Sequence, residues 1–257
     1  QGQILNTQKS VDKFLKTLKK TGCQMNETLF VFENTGIYSS LLALVLSENS
    51  LDYAQVPALE IKRSLGITRG KSDKVDAKEI AHYAKRNTDK IALSTLPELS
   101  LQQLKIVFAE REKTVAAIKT FERTKENEMF LTKEVFNSVK AINNQTVKHL
   151  KKQLVMLDEK IRTLIREDEN LYGQQQLLKS IPGIGDITSV YILMATKGFT
   201  AFTSGRKFAC YSGVAPFEHS SGTSIKGKTR VSHLADKKMK TLLHMASLTA
   251  IKYDPEL

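Results

Sequence analysis

The spacing of apolar and polar residues predicts alternating strands and helices at the start of the chain. Residues 28–33 (TLFVFE) and 53–57 (YAQVP) are short β-rich runs, and the apolar stretch 36–47 between them has the length of a helix. Before them, residues 3–6 are predicted as a strand and 9–20 as a helix with one apolar face. This alternation predicts an α/β domain, in which helices cover a sheet.

The middle of the chain has a different pattern. Residues 99–170 contain neither Gly nor Pro, and their apolar residues recur at steps of three and four, which predicts long helices. Two apolar stripes, in 101–108 and 147–164, indicate that these helices pair. They can pair as an antiparallel hairpin within the chain or as a coiled coil between two copies, and the residues leave both arrangements open.

From Gly173 onward the chain is richer in Gly, so we expect a further domain boundary there. The expected domains are an α/β domain in 1–96, a helical spacer in 97–172 and a mainly helical domain in 173–257. No apolar run reaches the roughly 18 residues that a membrane helix needs, so no membrane partner is expected. The two cysteines lie far apart and fit a reducing cytoplasm.

The charge favours a polyanionic partner, and nucleic acid is the first candidate. The chain carries a formal net charge of +12, yet residues 1–57 are neutral and 173–257 carry half of the excess. The densest basic stretch is 226–240, which is also compatible with a solvated helix face. The candidate phosphate-binding cations are Lys226, Lys228, Arg230, Lys237 and Lys238.

Acidic residues form the first candidate chemical motif. Glu33 ends an apolar strand, which places it at the carboxyl edge of the predicted sheet, where open α/β folds bind ligands. Asp73 and Asp76 are three apart near the start of a predicted helix, 72–86, and project from one face. Three such carboxylates suit Mg²⁺. Alternatively, the two aspartates only complement the helix dipole and Glu33 is a surface residue.

The segment 177–195 has the pattern of a helix-hairpin-helix, with a Pro-Gly-Ile-Gly turn between two helices. Gly183 and Gly185 would let backbone N–H groups approach a DNA phosphate at the start of the second helix. An ordinary tight turn between core helices is the alternative.

A Gly-bearing loop is predicted within residues 211–234, with Ser221 ahead of the cations Lys226, Lys228 and Arg230. Nearby cations would stabilise the charge that develops when a serine attacks a phosphate, although most loop serines only form turns. His219 is a candidate for proton transfer. The rival nucleophiles Tyr38 and Tyr211 are interpreted as packing residues.

Three segments together resemble the insertion-sequence-110 family of transposases, the DEDD transposases related to Piv-type DNA invertases. They are FENTGIY (32–38), RGKSDKVDAKEIA (69–81), and IPGIG with GVAPFEHSSGTSIKGKTRVSHLADKKMKTLLHMAS (181–247). The resemblance implies a RuvC-like (RNase H-like) nuclease domain, a helical coiled-coil spacer and a C-terminal transposase domain.

The resemblance also implies roles for particular residues. Glu33, Asp73 and Asp76 match the family's second, third and fourth acids, which bind Mg²⁺, and Ser221 matches its serine nucleophile. The family's first acid lies on an N-terminal strand, and no matching segment is present, so either the beginning is truncated or the metal site is incomplete. The family's C-terminal end also runs beyond the position that matches Leu257, so we expect both ends of the chain to be trimmed. The family further implies donor and target DNA, a bridge RNA, a dimer or tetramer, and a cytoplasmic, nucleoid-associated location.

The function predicted from the sequence is therefore DNA transposition or recombination through a phosphoserine link. The alternative is a metal-dependent, structure-specific nuclease that uses water as the nucleophile. A third hypothesis is a basic nucleic-acid-binding protein whose acids are structural.

Overall fold

The chain divides into two compact units, Gln1–Leu96 and Pro97–Leu257, in a computed structural model. The first unit ends at the residue where the sequence predicts the end of the α/β region. The structure describes residues 2–64, 72–221, 225–231 and 234–253.

Helices and strands alternate in the first unit. In chain order its elements are α1 (Gln8–Lys20), β1 (Phe30–Glu33), α2 (Ile37–Glu48), β2 (Tyr53–Val56), α3 (Ala58–Ser64) and α4 (Asp73–Arg86). Strands β1 and β2 pair in parallel, with Phe30 opposite Tyr53 and Glu33 opposite Val56. Parallel strands need a crossover, and the apolar helix α2 provides it. The predicted strands at 28–33 and 53–57 and the helices around 9–20, 36–47 and 72–86 are confirmed.

Buried residues of α1, α2 and β2 form the main core of this unit. Val11 and Leu15, one turn apart on α1, are both buried, as the predicted apolar face requires. They pack with residues of α2 and β2, among them Leu46 and Tyr53, so the helices lie against the strands.

The predicted strand at residues 3–6 is wrong. The amide of Thr7 donates to the carbonyl of Leu5 at 2.8 Å, and the Thr7 side chain caps α1. These local hydrogen bonds turn the chain into the helix at once, whereas a strand would need a neighbouring ladder. Ile4 and Leu5 consequently remain exposed.

The second unit contains helices and one antiparallel strand pair. In chain order its elements are α5 (Leu99–Arg123), α6 (Lys133–Arg166), α7 (Glu169–Lys179), α8 (Asp186–Thr196), α9 (Gly205–Tyr211), β3 (Pro216–Ser221), β4 (Ile225–Val231) and α10 (Lys237–Tyr253). The long helices α5 and α6 confirm the helical pattern of residues 99–170.

Helices α5 and α6 form an antiparallel hairpin within the chain. The hydroxyl of Ser100, near the start of α5, donates to Asp168 just beyond the end of α6 at 2.6 Å. Near the other end of α5, the ammonium of Lys151 lies 2.7 Å from the carboxylate of Glu122. Pairing of early with late residues fixes the antiparallel direction, so the hairpin is the arrangement found among the two that the sequence left open.

One core runs across the region predicted as a spacer and the region predicted as a separate C-terminal domain. The stripe on α5 packs against α6, α7, α8 and the start of α10, because an amphipathic helix pair must cover its apolar face. In packing terms 97–172 and 173–257 are one unit, which differs from the predicted boundary at Gly173. The buried residues of this core include Leu104, Phe108, Ile165, Leu171, Leu193 and Met239.

Strands β3 and β4 lie within residues 211–234, the segment in which the sequence predicts a Gly-bearing loop around Ser221. The strands pair antiparallel, with Phe217 opposite Arg230 and Ser221 opposite Ile225, and the register shifts between Phe217 and His219. The predicted loop is therefore a strand at Ser221, whereas its residues 222–224 lie outside the described residues. The charged residues of IKGKTRV obscured the alternation that is typical of a strand.

The turn between α7 and α8 depends on Gly183. Its φ angle is +88°, and a Cβ atom built there would lie 2.1 Å from the carbonyl oxygen of Ala246 in α10. Gly183 is thus required by close packing of backbone on backbone. Gly185, which caps α8, has φ −95° and open space where a Cβ would stand.

Replacing Gly183 with Ala should lower the free energy of unfolding by roughly 2–4 kcal/mol, because the new methyl group meets α10 and the φ angle is strained. Gly185→Ala is the matched control and should cost about 1 kcal/mol or less. Chemical denaturation of both variants measures the difference. Equal losses would show that α10 does not approach Gly183.

Candidate functional site

The end of strand β1 is held in a defined turn. Glu33 is half-buried opposite Val56, and the amide of the next residue, Asn34, donates to the carbonyl of Val56 at 2.9 Å. The amide of Gly36 donates to the Asn34 side chain at 3.2 Å, and Gly36 adopts φ +67° before α2 begins. The predicted position of Glu33 at the carboxyl end of a strand is confirmed.

The two aspartates lie in the first turn of α4. Ser72 caps this helix, its hydroxyl accepting from the amide of Val75 at 3.3 Å. Asp73 is exposed and Asp76 is half-buried, and neither forms an ion pair with any residue that the structure describes. Both carboxylates therefore stabilise the helix N-terminus and remain available to a cation. Residues 69–71 of the same motif lie outside the described residues.

Helix α4 is anchored near its C-terminal end. The hydroxyl of Tyr83 donates to the carboxylate of Glu60 on α3 at 2.5 Å. This hydrogen bond, with burial and the charge of Glu60, raises the pKa of Tyr83 to about 12. Tyr83 also packs with Val31 of β1 and Ile61 of α3, so the helix that carries the aspartates is fixed against β1.

The three predicted acids do not form one metal-ligand group. Within the described residues, no cluster of three or more His, Cys, Asp or Glu side chains could hold a metal ion. Carboxylate oxygens are suitable donors for a hard divalent cation, but their present placement does not fit a closed site. A cleft of about 960 Å³ does open beside Asp73, between α4 and residues 2–5.

The candidate serine lies at the end of β3. Ser221 and Lys226 occupy strand positions, but their side chains, like residues 222–224, lie outside the described residues. On β4, Lys228 and Arg230 are both exposed, and the register shift opposite them places an extra residue of β4 between Gly227 and Arg230. An exposed pair of cations therefore follows the serine position, as the sequence predicts.

A carboxylate that the sequence analysis missed closes the base of this hairpin. Asp236 accepts hydrogen bonds from the hydroxyls of Tyr191 and Tyr211 at 2.8 and 2.9 Å and from the amide of Met239 at 2.9 Å. Its own amide donates to the carbonyl of Tyr211 at 2.9 Å. Residues 211 and 236, which flank the β3–β4 hairpin, are thus tied together.

These hydrogen bonds change the ionisation of all three side chains. Burial by itself raises the pKa of Asp236, but the hydrogen bonds from Met239, Tyr191 and Tyr211 outweigh it and hold this pKa below its ordinary value. Burial and the Asp236 carboxylate raise the pKa of Tyr211 to about 12 and also raise that of Tyr191. The only sequence signal was an Asp directly before a basic helix, which is typical of a helix cap.

A carboxylate of the chain itself lies at the N-terminus of α8. The carboxylate of Asp186 lies in the first turn, 2.5 Å from the ammonium of Lys179 and 3.9 Å from the guanidinium of Arg162. A phosphate approaching the Gly183–Gly185 turn would meet this carboxylate. The role of the two glycines in binding nucleic acid stays a prediction.

The neighbouring lysines at the start of α10 differ in their surroundings. Lys238 forms an ion pair with Glu112, and its ammonium lies 4.7 Å from the ring centre of Phe108 and 5.2 Å from that of Tyr191. Lys237 is exposed. Lys237 is therefore available to a polyanion, whereas Lys238 is engaged within the second unit.

Replacing Asp236 with Asn should lower stability near neutral pH by about 1–3 kcal/mol, since two tyrosine hydroxyls, one of them part-buried, lose a charged acceptor. Because the folded-state pKa of Asp236 is depressed, its contribution is complete above the ordinary value of 3.8 and is lost as the pH falls through the lowered pKa. The wild-type unfolding free energy should thus fall more steeply than that of the variant below about pH 4. Denaturant titrations at several pH values, with Glu110→Gln as an exposed control, measure both slopes. Parallel pH profiles would contradict the assignment.

Family models of transposases match parts of both units. Residues 1–127 match a model of DEDD transposases of insertion sequence 110, and residues 175–257 match the model described as Transposase IS116/IS110/IS902 family. The pilin gene-inverting proteins of Moraxella bovis and Moraxella lacunata are 30% and 29% identical over 222 residues, or 85% of this chain. The chain spans 66% of the length of each of these relatives.

A membrane-spanning segment is absent from the helices that the structure describes, since none combines the necessary length with sufficient apolar character.

Proposed function

Because the chain belongs to the insertion-sequence-110 family of transposases, we propose that it cuts and rejoins DNA as a recombinase. The observation that carries the proposal is the arrangement of its two candidate motifs. Acids lie on fixed elements of the first unit, and a serine followed by exposed cations lies on a hairpin of the second unit whose base is closed by Asp236. The DEDD family gives the first unit a RuvC-like fold.

Ser221 is the proposed nucleophile. Its hydroxyl would lose its proton as Oγ forms a bond to the scissile phosphorus, the bond from phosphorus to the leaving DNA oxygen would break, and that oxygen would take up a proton. The product is a phosphoserine link that keeps the bond energy of the DNA backbone, so a second DNA hydroxyl can reverse the step and rejoin strands without a high-energy cofactor. Lys226, Lys228 and Arg230 would stabilise the charge on the phosphate during this exchange.

Glu33, Asp73 and Asp76 are the proposed ligands of Mg²⁺. Such an ion would supply positive charge to the phosphate oxygens. The two aspartates already share the first turn of α4, whereas Glu33 is not gathered with them into a ligand group in the described residues. A complete site therefore needs Glu33 to approach them and a further carboxylate, which the family carries on an N-terminal strand.

The proposed partners follow from the family and the charge. Donor and target DNA are the substrates, and a bridge RNA would select them by base pairing, so that target choice would not be encoded in this chain. Assembly as a dimer or tetramer would let the acids of one copy meet the serine of another. The +12 charge and the exposed cations Lys228, Arg230 and Lys237 support binding to polyanions. The proposed location is the cytoplasm of a bacterium or archaeon, close to the nucleoid.

Replacing Ser221 with Ala should abolish the covalent protein–DNA adduct and leave DNA affinity within about twofold, because a serine hydroxyl contributes little to phosphate binding beside several cations. A denaturing gel with end-labelled DNA reads the adduct, and a filter-binding titration reads affinity. Ser220→Ala is the matched control and should retain the adduct. An adduct that survives in Ser221→Ala contradicts the serine assignment.

The same gel separates the alternative functions. A nuclease that uses water would cut the DNA in Ser221→Ala as well as in the wild type and would leave no protein attached. A non-catalytic binding protein would give neither cleavage nor adduct in Mg²⁺.

Removing the aspartates tests the acidic site. Asp73→Asn together with Asp76→Asn should weaken binding of Mg²⁺ or Mn²⁺ by roughly tenfold or more, because two charged ligands are lost. Isothermal titration of the full chain with Mn²⁺ measures this, and Asp52→Asn, an exposed change outside the motif, is the control. Chelation with EDTA should also stop adduct formation in the wild type. Unchanged Mn²⁺ binding in the double variant would show that these aspartates only cap α4.

A further inference from the structure

A cleft of about 540 Å³ opens on the second unit between α5, α8 and the start of α10. The ring centres of Phe108 and Tyr191 are 5.6 Å apart in its wall, and Tyr211 lies at its exposed side. Its volume is typical of sites for small ligands or for a single residue of a polymer. It contains none of the proposed catalytic groups.

Most charges in the cleft are already matched. Lys238 pairs with Glu112, and the Asp236 carboxylate accepts hydrogen bonds from both tyrosine hydroxyls and a backbone amide. These groups need no ligand, so they form a polar and aromatic wall rather than a vacant binding site.

Lys105 and Lys197 are the exceptions. Neither has a carboxylate or a hydrogen-bond acceptor among the parts of the chain that the structure describes. Both residues line the same cleft. Burial lowers the pKa of Lys105, and the charge of Lys197 lowers it further. Like charges held together beside a cleft cost free energy, which an anion bound between them would recover.

We propose that this cleft binds a phosphodiester of an unpaired nucleic-acid strand, with Lys105 and Lys197 on the phosphate. Lysine is a common phosphate ligand because its ammonium acts as a compact point charge. An exposed aromatic ring beside such cations, here that of Tyr211, is typical of single-strand binding, because any base can stack on it. A duplex is too wide for a cleft of this size. The inference rests on the proposed function, since a recombinase must hold strands while they are unpaired.

The test compares two double variants of the full chain that have equal net charge. Lys105→Gln with Lys197→Asn removes the cleft cations, and Asn suits the left-handed backbone of residue 197 (φ 49°). Lys113→Gln with Lys119→Gln removes two exposed lysines of the same long helix. The probes are oligothymidylate, oligouridylate and a mixed-sequence DNA duplex, measured by fluorescence anisotropy against salt.

The cleft variant should bind the single strands roughly tenfold more weakly than the control variant and with a smaller salt slope, by about one unit for the two lost phosphate contacts. Both variants should bind the duplex equally. A larger loss with oligouridylate assigns the site to RNA, and a larger loss with oligothymidylate assigns it to DNA. Equal single-strand binding by the two variants, or a loss confined to the duplex or to an oligoglutamate probe, overturns the proposal.

A measurement on the wild type avoids dependence on variant folding. Photocrosslinking with 4-thiothymidine oligonucleotides, followed by peptide mass spectrometry, should label peptides that contain Tyr191, Lys197 or Tyr211. Labels found only elsewhere overturn the proposal. The covalent adduct of Ser221 is read independently, so an adduct without cleft labelling rejects the cleft alone, and cleft labelling without an adduct rejects the recombinase function alone.

Discussion

The carboxylate of Asp236 is the interaction on which the serine-bearing hairpin depends. It accepts from two tyrosine hydroxyls and from the amide of Met239 in the first turn of α10, while the amide of Asp236 donates to the carbonyl of Tyr211. These contacts join the end of α9 to the start of α10. The two ends of the segment that contains β3 and β4 are therefore held together. The hairpin itself is exposed at Lys228 and Arg230. The hydrogen bonds of Asp236 connect its base to Tyr191 of α8.

The same interaction favours serine over tyrosine as the nucleophile. Burial and the nearby carboxylate raise the pKa of Tyr211 to about 12, so its phenolate is scarce near neutral pH and its hydroxyl is already committed as a donor. Ser221 lies beyond this contact, at the end of β3 opposite Ile225. The candidate acids belong to the other unit, on β1 and α4. The proposed chemistry thus needs groups that separate units, or separate copies, bring to one phosphate.

Elements that follow from local apolar periodicity are predicted correctly from the sequence. Features that depend on contacts between residues distant in the chain are not. The helix at residues 9–20 and the position of Glu33 follow from apolar spacing and strand polarity. The strand predicted at 3–6 gives way to a cap on α1, which only the competing hydrogen bonds reveal. Gly183 looked like a phosphate-binding glycine, but its closest neighbour is the backbone of Ala246, 63 positions further along the numbering. The hydrogen bonds of Asp236 and the place of Lys105 in a cleft depend on the packing of α5, α8 and α10, which the sequence does not show.

The direct test of the recombinase account is to identify the residue that carries DNA after reaction. The wild-type protein would be incubated with substrate DNA in Mg²⁺ and denatured, and the adduct would be digested with nuclease and protease for mass spectrometry. The account predicts a nucleotide attached to the hydroxyl of Ser221. A nucleotide on Tyr38 or Tyr211, or DNA cleaved with no nucleotide on any peptide, would contradict it.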